Sequence, residues 1–368
     1  MLYLRYRWAD VGRCGLRHLL LKLAFAILGL ILGSVWGVAL IGQASVIPAH
    51  ELAFYARKQD HFEIYRADAD RGLAVRLTSL VRESIRPAWS PDGTQIAFFA
   101  LRAHPDGVSG LYVMELEGHN PRLLSTIVGQ SNPAWSPDSR SITYSSDQPG
   151  SEGVYRIVIA GGAVQQISDK ATSLLAVSPD GRQIAFMAAC DNNCDIFVVD
   201  ADGSNLRQLT RNGLFDVFPA WSPDSKQIAF MSNRDEFFEI YVVDADCTTR
   251  PGGCDANARR LTNNRDFDGF PNWSPDGQKV VLSSDRDGGN FDLYSIDVTC
   301  IKNHGDCAAA TQRLTYQSGR DLSPVWSPDG QRIAFISGRD VYVMDADGQN
   351  VRHLMDDVLP DQFLAWRP

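Results

Sequence analysis

The sequence predicts an all-β fold: a seven-bladed β-propeller of four-stranded blades, closed by the C-terminal strand and preceded by one N-terminal transmembrane helix. Three observations carry the prediction. One unit recurs along residues 51–368. Each full unit holds four short segments rich in β-branched and aromatic residues. The chain then ends on "DQFLAWRP", the opening of a unit that does not continue.

Aligned on "PAWSPDG", the units place Trp89, Trp135, Val177, Trp221, Trp273, Trp326 and Trp366 at one position, which takes six of the eight tryptophans. A second, "IAF"-like segment passes through Leu52, Ile96, Ile142, Ile184, Ile228, Val280 and Ile333. A third, "IYVVDAD"-like, passes through Ile64, Leu111, Val154, Ile196, Ile240, Leu293 and Val341. A fourth, "RRLT"-like, ends near Thr78, Leu124, Ile167, Thr210, Thr262, Thr315 and Leu354. Segments this short, bounded by Gly, Pro, Asp or Asn, read as strands. In Ser-Pro-Asp-Gly the proline presets φ, the aspartate bonds its own backbone and the glycine supplies φ > 0, giving a tight hairpin between strands one and two. The unit that begins at Glu51 lacks strand one, and "QFLAWRP" supplies it. Pairing the two ends closes the ring and removes open sheet edges.

Successive starts are 46, 42, 44, 52, 53 and 40 residues apart, and the two longest units hold Cys247/Cys254 and Cys300/Cys307 between strands three and four. Cys190/Cys194 falls in the hairpin between strands two and three. Close pairs in an oxidising compartment read as local disulfides. Zinc is the competing reading, but only His304 stands within a pair.

The first fifty residues differ from the rest. Residues 1–22 carry Arg5, Arg7, Arg13, Arg17 and Lys22 against Asp10 alone, and no charge follows between Leu23 and Ala49. An apolar run of that length spans a bilayer, and the flanking cations place the N-terminus in the cytoplasm and the propeller outside. The reading is a signal anchor at 23–48; a cleaved signal peptide, with small residues in "IGQA", is the alternative. Gly29, Gly33 and Gly37 share one helix face, which would suit a homodimer, although glycine is also simply common in such helices. Setting those five cations and one acid aside leaves 30 Lys and Arg against 43 Asp and Glu, which argues against a nucleic-acid partner.

The recurring "PAWSPDG", "IAFMSNRD", "IYVVDAD" and "RRLT" resemble the repeats of the TolB-like, WSPDG-type propellers over residues 51–368. The resemblance implies a propeller that binds protein partners in the envelope. TolB itself is typically six-bladed with a preceding α/β domain, whereas this chain has seven units and no room for that domain. Fold alone does not fix function.

No Gly-x-Ser-x-Gly or HExxH occurs, so neither a serine hydrolase nor that zinc chemistry is expected, and no catalytic residue or cofactor is assigned. The best candidate site is an acidic ring. Asp216, Asp268, Asp321 and Asp361 each stand three residues before the proline-equivalent position, where the chain enters the innermost strand at the channel mouth. Four carboxylates there could hold Ca2+. The competing reading is ordering of the loops by charge-assisted hydrogen bonds, because Arg234, Arg286, Arg339 and Lys58 occupy the facing hairpins of the same units. "DADG" at Asp200 and Asp345 reads as a polar turn rather than a calcium loop. The expected function is therefore a membrane-anchored envelope scaffold. A second candidate surface is the pair of disulfide loops on the opposite face. A glycan-binding module using Phe215, Phe218, Phe267 and Phe270, or a metal-dependent lyase or hydrolase, is the alternative.

Overall fold

The structure, a computed structural model, describes residues 50–58, 61–79, 83–101, 108–129, 131–170, 174–188, 193–247, 253–302, 307–358 and 364–368. The chain divides into two units, 1–47 and 48–368. The basic N-terminus, the expected span at 23–48 and the glycine face lie outside the described residues. Among the described residues no helix is long and apolar enough to cross a membrane.

Seven four-stranded antiparallel sheets follow in chain order. Blade 1 combines 51–76 with the final strand, and blades 2 to 7 occupy 84–125, 134–168, 175–208, 216–260, 268–313 and 321–355. Ring closure is as the fragmentary ends require: Leu52 pairs with Trp366 and Ala53 with Ala365. Beside this pairing the Arg367 guanidinium meets the Glu51 carboxylate at 2.6 Å. The first strand of each blade touches the first strand of the next all the way round, so these strands form the inner wall.

Strand two is apolar on both faces because blades stack on either side of it. Ile228, Ala229 and Phe230 have no accessible surface, and the same is true of Ile333, Ala334 and Phe335. Removing one such phenylalanine from water contributes about 2–3 kcal/mol.

The tryptophan position joins blade to blade. The indole N–H of Trp89 donates to the Ala365 carbonyl at 3.1 Å, Trp135 to Ala88 at 3.0 Å, Trp221 to Ala176 at 3.0 Å, Trp273 to Ala220 at 3.1 Å and Trp366 to Val325 at 3.0 Å. A valine, as at Val177, can only pack there. The hairpin that follows is held by its serine and aspartate: Ser222 Oγ donates to Asp224 at 2.7 Å and accepts the Gln227 N–H at 2.9 Å. The fourth position adopts the left-handed region whether it is Gly330 (φ 71°) or Ser225 (φ 59°).

Candidate functional site

Where a first strand contains proline after Arg86, Phe218, Phe270 or Ser323, its register slips between the flanking pairs and the residue before proline takes φ of 56°, 55°, 57° or 53°. Side chains other than glycine seldom adopt that region, and a following proline disfavours helical backbone further. Such bulges re-aim side chains. In blades 5 and 6 they bring Phe218 and Phe270 edge to face, ring centres 4.8 Å apart. The two rings, with Leu175, Val177, Pro271 and Val325, help wall a pocket of about 300 Å³ between the first strands of blades 4 to 7. Of the other phenylalanines expected near the mouth, Phe267 packs on Phe238 and Phe291, and Phe215 is 37% exposed.

Asp216, Asp268 and Asp321 begin the first strands of blades 5, 6 and 7, and none has accessible surface. All three carboxylates are buried, and in blades 5 and 6 partner groups from the facing loops close over them. Arg234 Nη2 lies 3.1 Å from Asp216, and Arg286 Nη2 lies 2.9 Å and 3.0 Å from the two oxygens of Asp268. Asn212 and Asn264 each donate to the aspartate four residues on, both at 2.6 Å. Both arginines are also steered by a serine at the end of strand two, Ser232 or Ser284, whose Oγ receives Nε at 2.9 Å. The pairing reading of these acids and cations therefore describes blades 5 and 6.

Blade 7 differs. Arg339 reaches out to Asp357 at 2.6 Å, each side chain more than half exposed. Neither Asp321 oxygen has a hydrogen-bond partner among the described residues. Burial pushes the Asp321 carboxyl up to about 6; Ser337 and Thr315 ease the shift, Asp292 adds to it and Arg313 opposes it. The cause is hairpin length. Ser337 pairs directly with Asp340 across a two-residue turn of Gly338 (φ 63°) and Arg339, so Arg339 points away from the blade. In blades 5 and 6 the residue before the arginine is Asn233 or Asp285, and its side chain anchors the incoming loop through the Phe215 or Phe267 N–H. Gly338 has no side chain to do this. Asp361 lies outside the described residues, and nothing is described of the Lys58 side chain.

A second acidic series completes each junction. Asp195 and Asp292 open the third strands of blades 4 and 6, and Glu63 and Glu239 stand third in those of blades 1 and 5, all four almost without accessible surface. The next residue's N–H donates at 2.9 Å to the threonine two residues past strand four: Thr78, Thr210, Thr262 or Thr315. Burial pushes all four carboxyls up, with Asp216 adding to Asp195 and Asp268 to Glu239. Strand four supplies the compensating cation, Arg260 to Glu239 at 2.8 Å and Arg313 to Asp292 at 2.7 Å. The sequence signal was an acid immediately before the third segment together with the threonine of "RRLT".

Cys247–Cys254 and Cys300–Cys307 are disulfides between strands three and four, as the spacing predicts. Cys194 is also disulfide-bonded, and Cys190 lies outside the described residues. The blade 5 insertion is a buttress rather than an open loop. Both its cysteines are buried against Leu209 and Trp221, and Asp255 on its helix Gly253–Asn257 accepts the Arg211 N–H at 2.8 Å. A polar recess of about 550 Å³ beside it is walled by Arg207, Asp224, Lys226 and Asp244.

A model described as the TolB beta propeller domain matches residues 48–175, 170–251 and 255–359. A protein TolB homolog of Chlorobium chlorochromatii is 28% identical over 159 residues, 43% of this chain and 32% of that protein. The chain spans about a third of the length of the curated relatives it matches. Among solved structures, TolB from Acinetobacter baumannii is similar with a TM-score of 0.54 at 22% identity, covering 89% of this chain and 84% of that one. An oligogalacturonate lyase in complex with manganese reaches 0.60 at 14% identity over 83% and 84%. Both likenesses concern the fold. Together with the family match over most of its length, the repeats and the closed ring establish that the chain belongs to the TolB beta propeller domain family.

Proposed function

We propose that the protein is an exported scaffold of the cell envelope, held at the membrane by its N-terminal segment, that binds a protein partner through the pocket at the centre of its propeller. The observation that carries this reading is the pocket itself: about 300 Å³, open, and walled mostly by proline, aliphatic and aromatic side chains, with Asn272 and Ser323 and no ionisable group among its described walls. Such a surface gains by covering apolar area, and its polar residues, Asn272 and Ser323, have no acid or base beside them in the lining. Two strained backbone positions that turn Phe218 and Phe270 inward support a built surface rather than an incidental gap. A TolB homologue among the relatives supports the envelope setting, and the charge balance beyond the first fifty residues disfavours nucleic acid.

The test is crosslinking of the tagged full-length chain in its own membranes, with identification of what copurifies. Leu175→Gln, a polar change in the half-buried pocket wall, is the control, checked for an unchanged melting curve. One dominant partner that is lost with Leu175→Gln supports the scaffold. An equal yield from both proteins overturns the pocket as its seat, and the absence of any partner overturns the scaffold.

A further inference from the structure

In blades 5 and 6 an arginine of strand four sits between two carboxylates. Arg260 meets Glu239 through Nη2 at 2.8 Å and Asp235 through Nη1 at 3.4 Å. Arg313 meets Asp292 through Nη2 at 2.7 Å and Asp287 through Nη1 at 3.1 Å. Separate N–H groups of one planar fork serve the two acids, and a guanidinium can do this because it carries five donors.

Blade 7 keeps the strand-three acid, changes the group beside it and draws its second acid, Asp356, from just beyond strand four. The residue of strand four that precedes the leucine, Arg260 or Arg313 in the sister blades, is His353, and the strand-three acid is Asp340. His353 presents one atom, Nε2, to both carboxylates: 3.0 Å from Asp356 and 3.8 Å from Asp340. The three ligand atoms lie within 4.8 Å of one another. A single ring nitrogen carries at most one hydrogen, so it cannot donate to both acids. A metal ion in their midst can bind all three. The surroundings already orient the set: Asp340 Oδ1 accepts the Asp357 N–H at 3.2 Å, leaving Oδ2 toward the imidazole, and the His353 ring packs edge-on against Tyr342 at 5.1 Å. Outer contacts of this kind fix the direction of first ligands.

We propose that His353, Asp340 and Asp356 form a three-ligand site for a divalent transition-metal ion, zinc first, on the rim of blade 7. One imidazole nitrogen with two carboxylate oxygens matches the donors zinc takes at about 2.0–2.2 Å, and water fills the remaining position. Calcium, which prefers oxygen alone, fits the set poorly. The site is independent of the central pocket and its proposed partner.

The full-length chain is stripped with a chelator and titrated with Zn2+ by calorimetry, and with Co2+ while visible absorption is followed. One ion per chain is expected, with a cobalt band. His353→Gln and Asp356→Asn should each weaken binding about tenfold or more, and His353→Gln should abolish the band. Ca2+ should bind at least about tenfold more weakly than Zn2+. His119→Gln, at an exposed histidine of blade 2, should change nothing. Both blade 7 variants alter half-exposed or exposed side chains, and unchanged circular dichroism melting verifies their fold. No stoichiometric binding by the parent chain, or equal affinity in His353→Gln, overturns the proposal.

Discussion

The junction between blades 5 and 6 and the junction between blades 6 and 7 are built from the same repeat, yet one pairs its first-strand aspartate and tryptophan and the other does not. At the first, Asp268 is met by Arg286 and Asn264, and the Trp273 indole by the Ala220 carbonyl. At the second, Asp321 has neither cation nor amide, and the Trp326 indole nitrogen has no acceptor among the described residues. The Asn264 position holds Gln317, the hairpin bearing Arg339 is cut to two residues, and Asn272 stands where five blades have alanine and blade 7 has Val325. Packing of apolar strands is therefore sufficient to join two blades, and the polar clasp is an addition a blade can lose. The price is a buried carboxylate that prefers its proton.

The largest effect separates the two arginines. Arg286→Ala should destabilise the propeller by about 3–5 kcal/mol, because it leaves the buried Asp268 charge with the Asn264 amide but no cation. Arg339→Ala breaks only an exposed pair and should cost about 0.5 kcal/mol or less. Denaturant melts of the two variants check this, and equal losses would erase the distinction between the junctions.

The aspartates should respond in opposite directions. Asp268→Asn removes the charge that holds Arg286, whereas Asp321→Asn removes a charge that no cation pairs with directly. With its carboxyl at about 6 when folded against an ordinary 3.8, Asp321 keeps a proton between those values that the unfolded chain has already released. Its contribution to stability is therefore greatest below about pH 4 and is lost as pH rises through about 6, by an amount on the order of 3 kcal/mol. At pH 7.5, Asp321→Asn should raise stability while Asp268→Asn lowers it, and the asparagine at 321 should flatten the profile between pH 4 and 6. A stability that climbs over that interval because of Asp321 would contradict the unpaired assignment.

The junction between blades 7 and 1 offers a third case. His50 stands between Asp70 at 2.9 Å and Asp329 at 2.8 Å. Burial works against its charged form, but the two carboxylates outweigh it and hold the imidazole above its ordinary 6.5. This clamp is complete below pH 6.5 and weakens as pH rises through the folded value. His50→Ala should cost about 1 kcal/mol at pH 6 and clearly less at pH 8.5, measured by melts at both. A pH-independent cost would mean that the ring packs there without acting as a cation.

Much of this molecule was legible in its sequence, and the reason is locality. Blade number, ring closure through "QFLAWRP" and the Cys247 and Cys300 loops each follow from spacing within one repeat. The pairing of Asp216 with Arg234 and of Asp268 with Arg286 follows from a shared offset of 18 residues. That offset also holds for Asp321 and Arg339, where the pairing fails. Side-chain direction depends on where the hairpin turns, and Gly338 moves the turn by altering backbone that the offset does not record. Burial of the acids was invisible for a related reason, since the groups that cover Asp216 include Asn212 and the blade 5 insertion, contributed by neighbouring segments. Bulges before proline, which aim Phe218 and Phe270 into the pocket, left no mark beyond a proline that strands ordinarily avoid.

The smallest prediction isolates one hydrogen bond. Trp273 and Trp326 are buried to similar degrees, 7% and 9% exposed, so changing either to phenylalanine forfeits similar apolar contact. Trp273→Phe also leaves the Ala220 carbonyl without its indole donor, which should add about 1 kcal/mol to the cost. Trp326→Phe deletes an N–H that has no acceptor among the described residues, and the backbone N–H of Trp326 stays bonded to Asn272 Oδ1 at 3.0 Å. The difference between the two variants, read from midpoint shifts at constant slope, is thus the contribution of the inter-blade indole bond. Adding Asn272→Ala installs the residue that five of the other blades carry. If the asparagine side chain draws the Trp326 backbone away from the carbonyl it would otherwise serve, Trp326→Phe should then become as costly as Trp273→Phe. If the cost stays low, the loss lies in the blade spacing itself rather than in that one amide.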